Sequence, residues 1–118
     1  MKTVLICEDD ADMVALIRAV VERAGYGLIT ASDGRLALEL GLKQNPDLIL
    51  MDLLMPNADG IAATKMLRIK GYKKPIVILT ASEREPDRKA ALAAGANAFI
   101  LKTLAMSDVE ETLERLLA

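Results

Sequence analysis

Five predicted strands alternate with stretches of helical period along this chain, and that alternation restricts the folds open to it. The strands are Thr3–Cys7, Leu28–Ala31, Asp47–Met51, Pro75–Leu79 and Ala98–Leu101. Leu48 to Met51 and Val4 to Cys7 are continuous apolar runs, as expected where helices cover both faces of a parallel sheet. Strands that alternate with helices specify βα units and an α/β architecture.

The helical segments follow from apolar spacing and stop signals. The first would present Met13, Leu16, Ile17, Val20 and Val21 to the sheet and end at Gly25. Ser32-Asp33-Gly34 is a turn into a second helix, Arg35–Gln44, which Asn45-Pro46 ends. Its Leu36, Leu38, Leu40 and Leu42 form two i,i+4 pairs, and a single stripe buries only one of them. Helix three follows the loop Met55–Gly60, turns Ile61, Ala63, Thr64 and Leu67 inward, and ends at Gly71. Helix four is Asp87–Ala94, stopped by Gly95. Ser107 with Glu110 reads as a capping box for a fifth helix that buries Val109, Leu113, Leu116 and Leu117.

Composition narrows the function. The 118 residues suffice for one domain with a proper core. A net charge of −2, with basic residues in short pairs such as Lys73-Lys74 and Arg88-Lys89, gives no nucleic-acid stripe. The run Val4 to Cys7 is stopped by Glu8-Asp9-Asp10, so it is no signal peptide, and no apolar stretch nears the ~20 residues of a membrane span. A cytoplasmic protein without nucleic-acid or membrane partners is the expectation. Cys7 is the sole cysteine and reads as a buried filler. Met13, Met51 and Met66 are core candidates. No histidine is present, which excludes histidine ligands and histidine acid–base chemistry.

The polar residues at strand ends carry the chemistry. Glu8-Asp9 follow the first strand, Asp52 the third, Thr80 the fourth and Lys102 the fifth. Open parallel sheets collect ligands at the carboxyl ends of their strands. Clustered carboxylates repel unless a cation or proton relieves them, and a hard divalent metal is the simplest remedy. An aspartate beside such a metal is a candidate phosphoryl acceptor. Taken singly, each residue has a plainer role. Asp9, Asp10 and Asp12 suit a helix N-cap, Asp59 a cap for helix three, Thr80 a strand end, Lys102 the surface and Phe99 the core.

Taken in order, these pieces resemble the receiver domain of bacterial two-component response regulators. The resemblance lies in Leu5-Ile6-Cys7-Glu8-Asp9-Asp10, in Pro46 to Asp52, in Met55-Pro56 with Asp59-Gly60, in Ile78-Leu79-Thr80-Ala81, and in Ala94 to Lys102. It implies a five-stranded parallel sheet of order 2-1-3-4-5 with helices on both faces. Asp52 would be the phosphoacceptor, taking a phosphoryl group from a histidine of a sensor kinase or phosphotransfer protein. Magnesium would be held by Glu8, Asp9 and Asp52, with Glu8 acting mainly through water, and by the backbone carbonyl of Leu54. Lys102 would pair with Asp52 and then with the phosphoryl group. Thr80 and Phe99 would switch the helix 4–strand 5–helix 5 face. The chain would catalyse only its own phosphorylation and dephosphorylation. One receiver domain over 1–118 without an output domain is expected, either stand-alone, towards which Met1 and the lack of a linker after Leu117 lean slightly, or cut out of a larger regulator or hybrid kinase. It would be a monomer or a weak phosphorylation-dependent homodimer, with Arg84, Arg88 and Lys89 facing Asp108, Glu110, Glu111 and Glu114 across a two-fold axis.

Three departures from the family pattern stand out. Thr103 follows Lys102 where the family has proline with a cis peptide, so a trans bond is expected. Leu54 and Ser82 offer little to hold an attacking water, so a long-lived phosphorylated state is expected. Leu54 also argues against an aspartyl phosphatase, which needs a second aspartate there. A pseudo-receiver is opposed by the intact Glu8, Asp9, Asp52, Thr80 and Lys102, while the Lys102-Thr103 departure keeps it open. A flavodoxin-like carrier lacks a phosphate loop after strand one.

Overall fold

The computed structural model describes residues 1–53, 59–81, 83–102 and 106–117. Five strands, β1 (Thr3–Cys7), β2 (Gly27–Ala31), β3 (Leu48–Met51), β4 (Ile76–Thr80) and β5 (Ala98–Leu101), alternate with five helices. These are α1 (Ala11–Arg23), α2 (Gly34–Gln44), α3 (Gly60–Ile69), α4 (Glu85–Ala94) and α5 (Met106–Leu117). The strands are parallel in the order β2-β1-β3-β4-β5, as the alternation and the resemblance imply. β1 lies between β2 and β3, so the connections leave it in opposite directions and open a crevice at its carboxyl end.

The strand period of two divides the core. Val4, Ile6, Leu48, Leu50, Val77 and Leu79 pack with α1 and α5. Leu5, Cys7, Ile49, Met51, Ile76 and Ile78 pack with α2, α3 and α4 on the other face. β3 and β4 are buried along their whole length, which explains their unbroken apolar sequence.

Caps set the helix starts. Asp10 accepts from the Asp12 and Met13 amides, Asp33 from Leu36, and Asp59 from Ala62. Asp10 therefore holds the first helix, and Asp9 is left for other work. Asn45, at the end of α2, adopts the left-handed conformation (φ 47°), which asparagine tolerates.

Several sequence expectations shift. Leu16 is half exposed, because α1 turns Ile17, Val20 and Val21 inward. α2 buries Ala37 and Gly41, so its leucines do not divide by i,i+4 pairs. Leu38 and Leu40 are half-buried, whereas Leu36 and Leu42 are exposed. Met66 is exposed, unlike Met51. α4 starts two residues early, with Pro86 in its first turn, where a missing N–H is harmless. α5 starts at Met106, so Ser107 lies inside the helix and is not its cap. Glu110 pairs with Arg23 of α1 at 2.7 Å within the same chain, at an exposed position. Leu54, Ser82 and the Lys102–Thr103 bond lie outside the described residues. No helix among the described residues is long and apolar enough to cross a membrane.

Candidate functional site

Three predicted site residues stand one position beyond their strands, and each is held there by its neighbour's backbone. The Glu8 amide donates to the Ala31 carbonyl at 3.0 Å and the Asp52 amide to Cys7 at 2.9 Å. The Lys102 amide donates to Thr80 at 2.7 Å. Each bond carries a parallel ladder one residue past the strand. The backbone stays fixed while the side chain leaves the sheet at its carboxyl edge.

The side chains converge. One carboxylate oxygen from each of Glu8, Asp9 and Asp52 lies within 4.8 Å of the others, the one such cluster among the described residues. The Lys102 Nζ stands 2.5 Å from Glu8 Oε1 and 3.0 Å from Asp52 Oδ2. Glu8 and Asp52 are buried, at 4% and 7% exposure, whereas Asp9 is exposed at the rim. The Asp10 amide donates to Glu8 Oε2 at 3.2 Å. Sequence reasoning paired Lys102 with Asp52 alone, and its bond to Glu8 had no signal in the residue pattern.

Burial pushes the Glu8 carboxyl above the usual carboxylate range, against the pull of Lys102. Burial also works against the Lys102 ammonium, but its bonds to Glu8 and Asp52 outweigh this and hold its pKa above that of an ordinary lysine. Cys7 is pushed up to about 12, first by burial and then by Asp33 and Asp52. It stays a thiol, with its Sγ donating to the Asp33 carbonyl at 3.2 Å, in keeping with a filler role.

Three carboxylates and one ammonium leave a local charge of −2. That residue matches a divalent cation. The three oxygens lie within 4.8 Å of one another, somewhat wider than the about 4.2 Å between opposite magnesium ligands, so a small hard ion would be held there partly through water.

Thr80 ends β4, fully buried, and its carbonyl holds the Lys102 amide. Phe99 pairs with Ile78 across β4 and β5 and is half-buried against the α2–α3–α4 side of the core. Beside it an open pocket of about 300 Å³ is lined by Phe99, Ile100, Asp108, Glu111 and Arg115, between β5 and α5.

Comparison with known proteins agrees with this geometry. Residues 4–114 match the model of the response regulator receiver domain. The alkaline phosphatase synthesis transcriptional regulatory protein PhoP of Bacillus subtilis is 36% identical over 116 residues, which make up 98% of this chain and 48% of that protein. The chain spans about half the length of the curated relatives it matches. The chemotaxis protein CheY4 of Vibrio cholerae superposes with a TM-score of 0.90 at 30% identity, covering 98% of both chains. The receiver domain of a sensor histidine kinase from Pseudomonas aeruginosa PAO1 gives 0.89 at 31% identity, covering 98% of this chain and 97% of its own. That structure has a magnesium ion coordinated in its active-site cleft.

Proposed function

This chain belongs to the response regulator receiver domain family of two-component systems, and we propose that Asp52 is the residue on which it carries its phosphoryl group. The observation that supports this reading is the buried Asp52 carboxylate, gathered with Glu8 and Asp9 and bonded to Lys102. An Asp52 oxygen forms a bond to phosphorus as the phosphorus–nitrogen bond of a partner's phosphohistidine breaks. The imidazole leaves with the electron pair. The histidine belongs to a sensor kinase or a phosphotransfer protein, since this chain has none.

Glu8, Asp9 and Asp52 would hold magnesium, with the Leu54 carbonyl, outside the described residues, as the further ligand implied by the resemblance. When bound, the ion supplies charge neutralisation at the phosphoryl oxygens. Lys102 already sits beside Asp52 and moves with its stem to the transferred group. Thr80 donates its hydroxyl to a phosphoryl oxygen, and the half-buried Phe99 follows it, altering the surface of α4, β5 and α5. The catalysis is positioning and electrostatics applied to the chain's own modification. Curated relatives are named as transcriptional regulators, which supports a role ahead of gene expression. A monomer or a weak phosphorylation-dependent homodimer suits that role.

Incubation with magnesium and acetyl phosphate, followed by intact-protein mass, tests the reading. The expected result is the gain of one phosphoryl group, lost in Asp52→Asn. A gain that survives this substitution would overturn the assignment.

A further inference from the structure

We propose that Gly60 is a positioning residue for the phosphoacceptor: its bare Cα lets the start of α3 lie against the backbone of Asp52 and so fixes where that carboxylate stands. The inference builds on the reading of Asp52 as acceptor. A Cβ on Gly60 would stand 2.1 Å from the Asp52 carbonyl oxygen, 2.9 Å from its carbonyl carbon and 3.0 Å from Met51 Cγ. A carbon–oxygen contact needs about 3.3 Å. The two backbones would therefore have to separate by about 1 Å.

The obstacle is main chain, which cannot rotate aside as a side-chain tip does. Gly41, by contrast, would meet the methyl ends of Leu67 and Ile49 at 2.8 and 3.2 Å. Nor is Asp52 free to yield on its other side, where its amide is tied to Cys7 of β1 at 2.9 Å.

Gly60 is itself fixed from two directions. Its amide donates to the Leu53 carbonyl at 2.8 Å, which joins the residue after Asp52 to the first residue of α3. Its carbonyl accepts from the hydroxyl of Thr64, a fully buried polar side chain one turn on, at 2.7 Å. Helix α3 thus acts as a stop behind the acceptor. Asp52 must keep its place to within a fraction of an ångström to meet Lys102 at 3.0 Å and the oxygens of Glu8 and Asp9.

The test compares Gly60→Ala with Gly41→Ala, a crowded glycine whose neighbours Leu67, Ile49 and Leu5 contribute nothing to the carboxylate cluster. Three quantities are read per folded molecule: magnesium affinity by calorimetry, the rate of phosphorylation by acetyl phosphate, and amide exchange in metal-free protein. A shift of this size in the support of a metal ligand weakens binding by about 10–100-fold, and misplacement of about 1 Å slows reaction by about a hundredfold. Gly60→Ala is expected to show both losses, with faster exchange at the Asp52 amide. Gly41→Ala is expected to keep affinity and rate within about twofold, since the Leu67 and Ile49 methyl ends it meets can turn aside without shifting the backbone of α3 or β3. Equal affinity and rate in the two variants would overturn the proposal. If Gly60→Ala does not fold, Thr64→Val decides. Faster exchange at the Gly60 amide with magnesium affinity unchanged would overturn the proposal, and a parallel fall in affinity would support it. Absence of magnesium binding and phosphorylation in the unmodified protein would instead defeat the assignment of Asp52, leaving the exchange comparison as the separate measure of Gly60.

Discussion

Replacing Lys102 by methionine removes an ammonium shared by two buried carboxylates. The Lys102 side chain is 16% exposed, and the side chains of its partners Glu8 and Asp52 are 2% and 8% exposed. Breaking a buried pair by deleting one partner costs about 3–5 kcal/mol, because the remaining charge is left without compensation. Two carboxylates are stranded here, but the cleft opens to water at Asp9, so the lower bound of about 3 kcal/mol is the expectation for metal-free protein. In a domain of 118 residues this lowers the melting temperature by roughly 10–20 °C. Urea unfolding in a chelator measures it. Magnesium should narrow the gap, because the variant retains three carboxylates without their ammonium. A ligand at a hundredfold excess over its dissociation constant adds about 2.7 kcal/mol to the native state. Glu8→Gln in the Lys102→Met background should also recover stability, by removing one stranded charge. A Lys102→Met loss under about 1 kcal/mol without metal would show the carboxylates to be solvated and refute the reasoning. So would a gap that magnesium and Glu8→Gln both leave unchanged.

Other expectations follow from single side chains. Asp9 is exposed yet lies in the carboxylate cluster, so Asp9→Asn should weaken magnesium binding with little loss of stability; an unchanged titration would remove it from the site. Asp47 is held below the usual carboxylate range, first by the Thr3 amide at 2.8 Å and then by Lys74 at 3.3 Å. With its folded pKa depressed, its contribution is present above the unfolded value of about 3.9 and is lost as pH falls through the folded one. Asp47→Asn should therefore flatten the acid limb of the stability profile below about pH 4, and an unaltered limb would contradict the assignment. Arg68 donates to the carbonyls of Gly95, Tyr72 and Lys74 and to Asn97 Oδ1, at 2.8 to 3.1 Å. Arg68→Ala should cost about 2–4 kcal/mol in urea unfolding, and Arg68→Lys should recover little, because an ammonium cannot reproduce the fork.

What could be read from the residues and what could not divide along physical lines. The strands were legible because a covered parallel sheet demands unbroken apolar runs, and charge at the end of such a run has few structural explanations. Glu8, Asp9, Asp52 and Lys102 stood out as a set that way, and the fold brings their side chains together. α2 misled because its buried face is made of Ala37 and Gly41, and small residues leave no hydrophobic period, whereas its conspicuous leucines lie at the flanks. Met66 and Leu16 misled for the complementary reason: an apolar side chain at helical spacing is not obliged to be inside. Arg68 gave no signal, since three of its four acceptors are backbone carbonyls that every sequence possesses, and Asn97 lies 29 positions away.

Gly60 marks the deeper limit of such reading. In the sequence it is a turn glycine after an aspartate, the residue most easily explained by backbone freedom. In the fold its missing side chain is the feature that matters, because the space is taken by the carbonyl of Asp52, eight positions earlier. A side chain that is present can be judged by its chemistry. One that is absent acquires meaning only when something else occupies its place. The charged groups of the proposed site were visible because they stand at the ends of apolar runs. The residues that hold them still are amides, carbonyls, a buried hydroxyl and an absent Cβ, which carry no such mark. Substitutions at Gly60 and Thr64 should thus impair phosphorylation while every charged group of the site remains in place. Normal magnesium affinity and phosphorylation in both variants would mean that the strand ladders alone position Asp52.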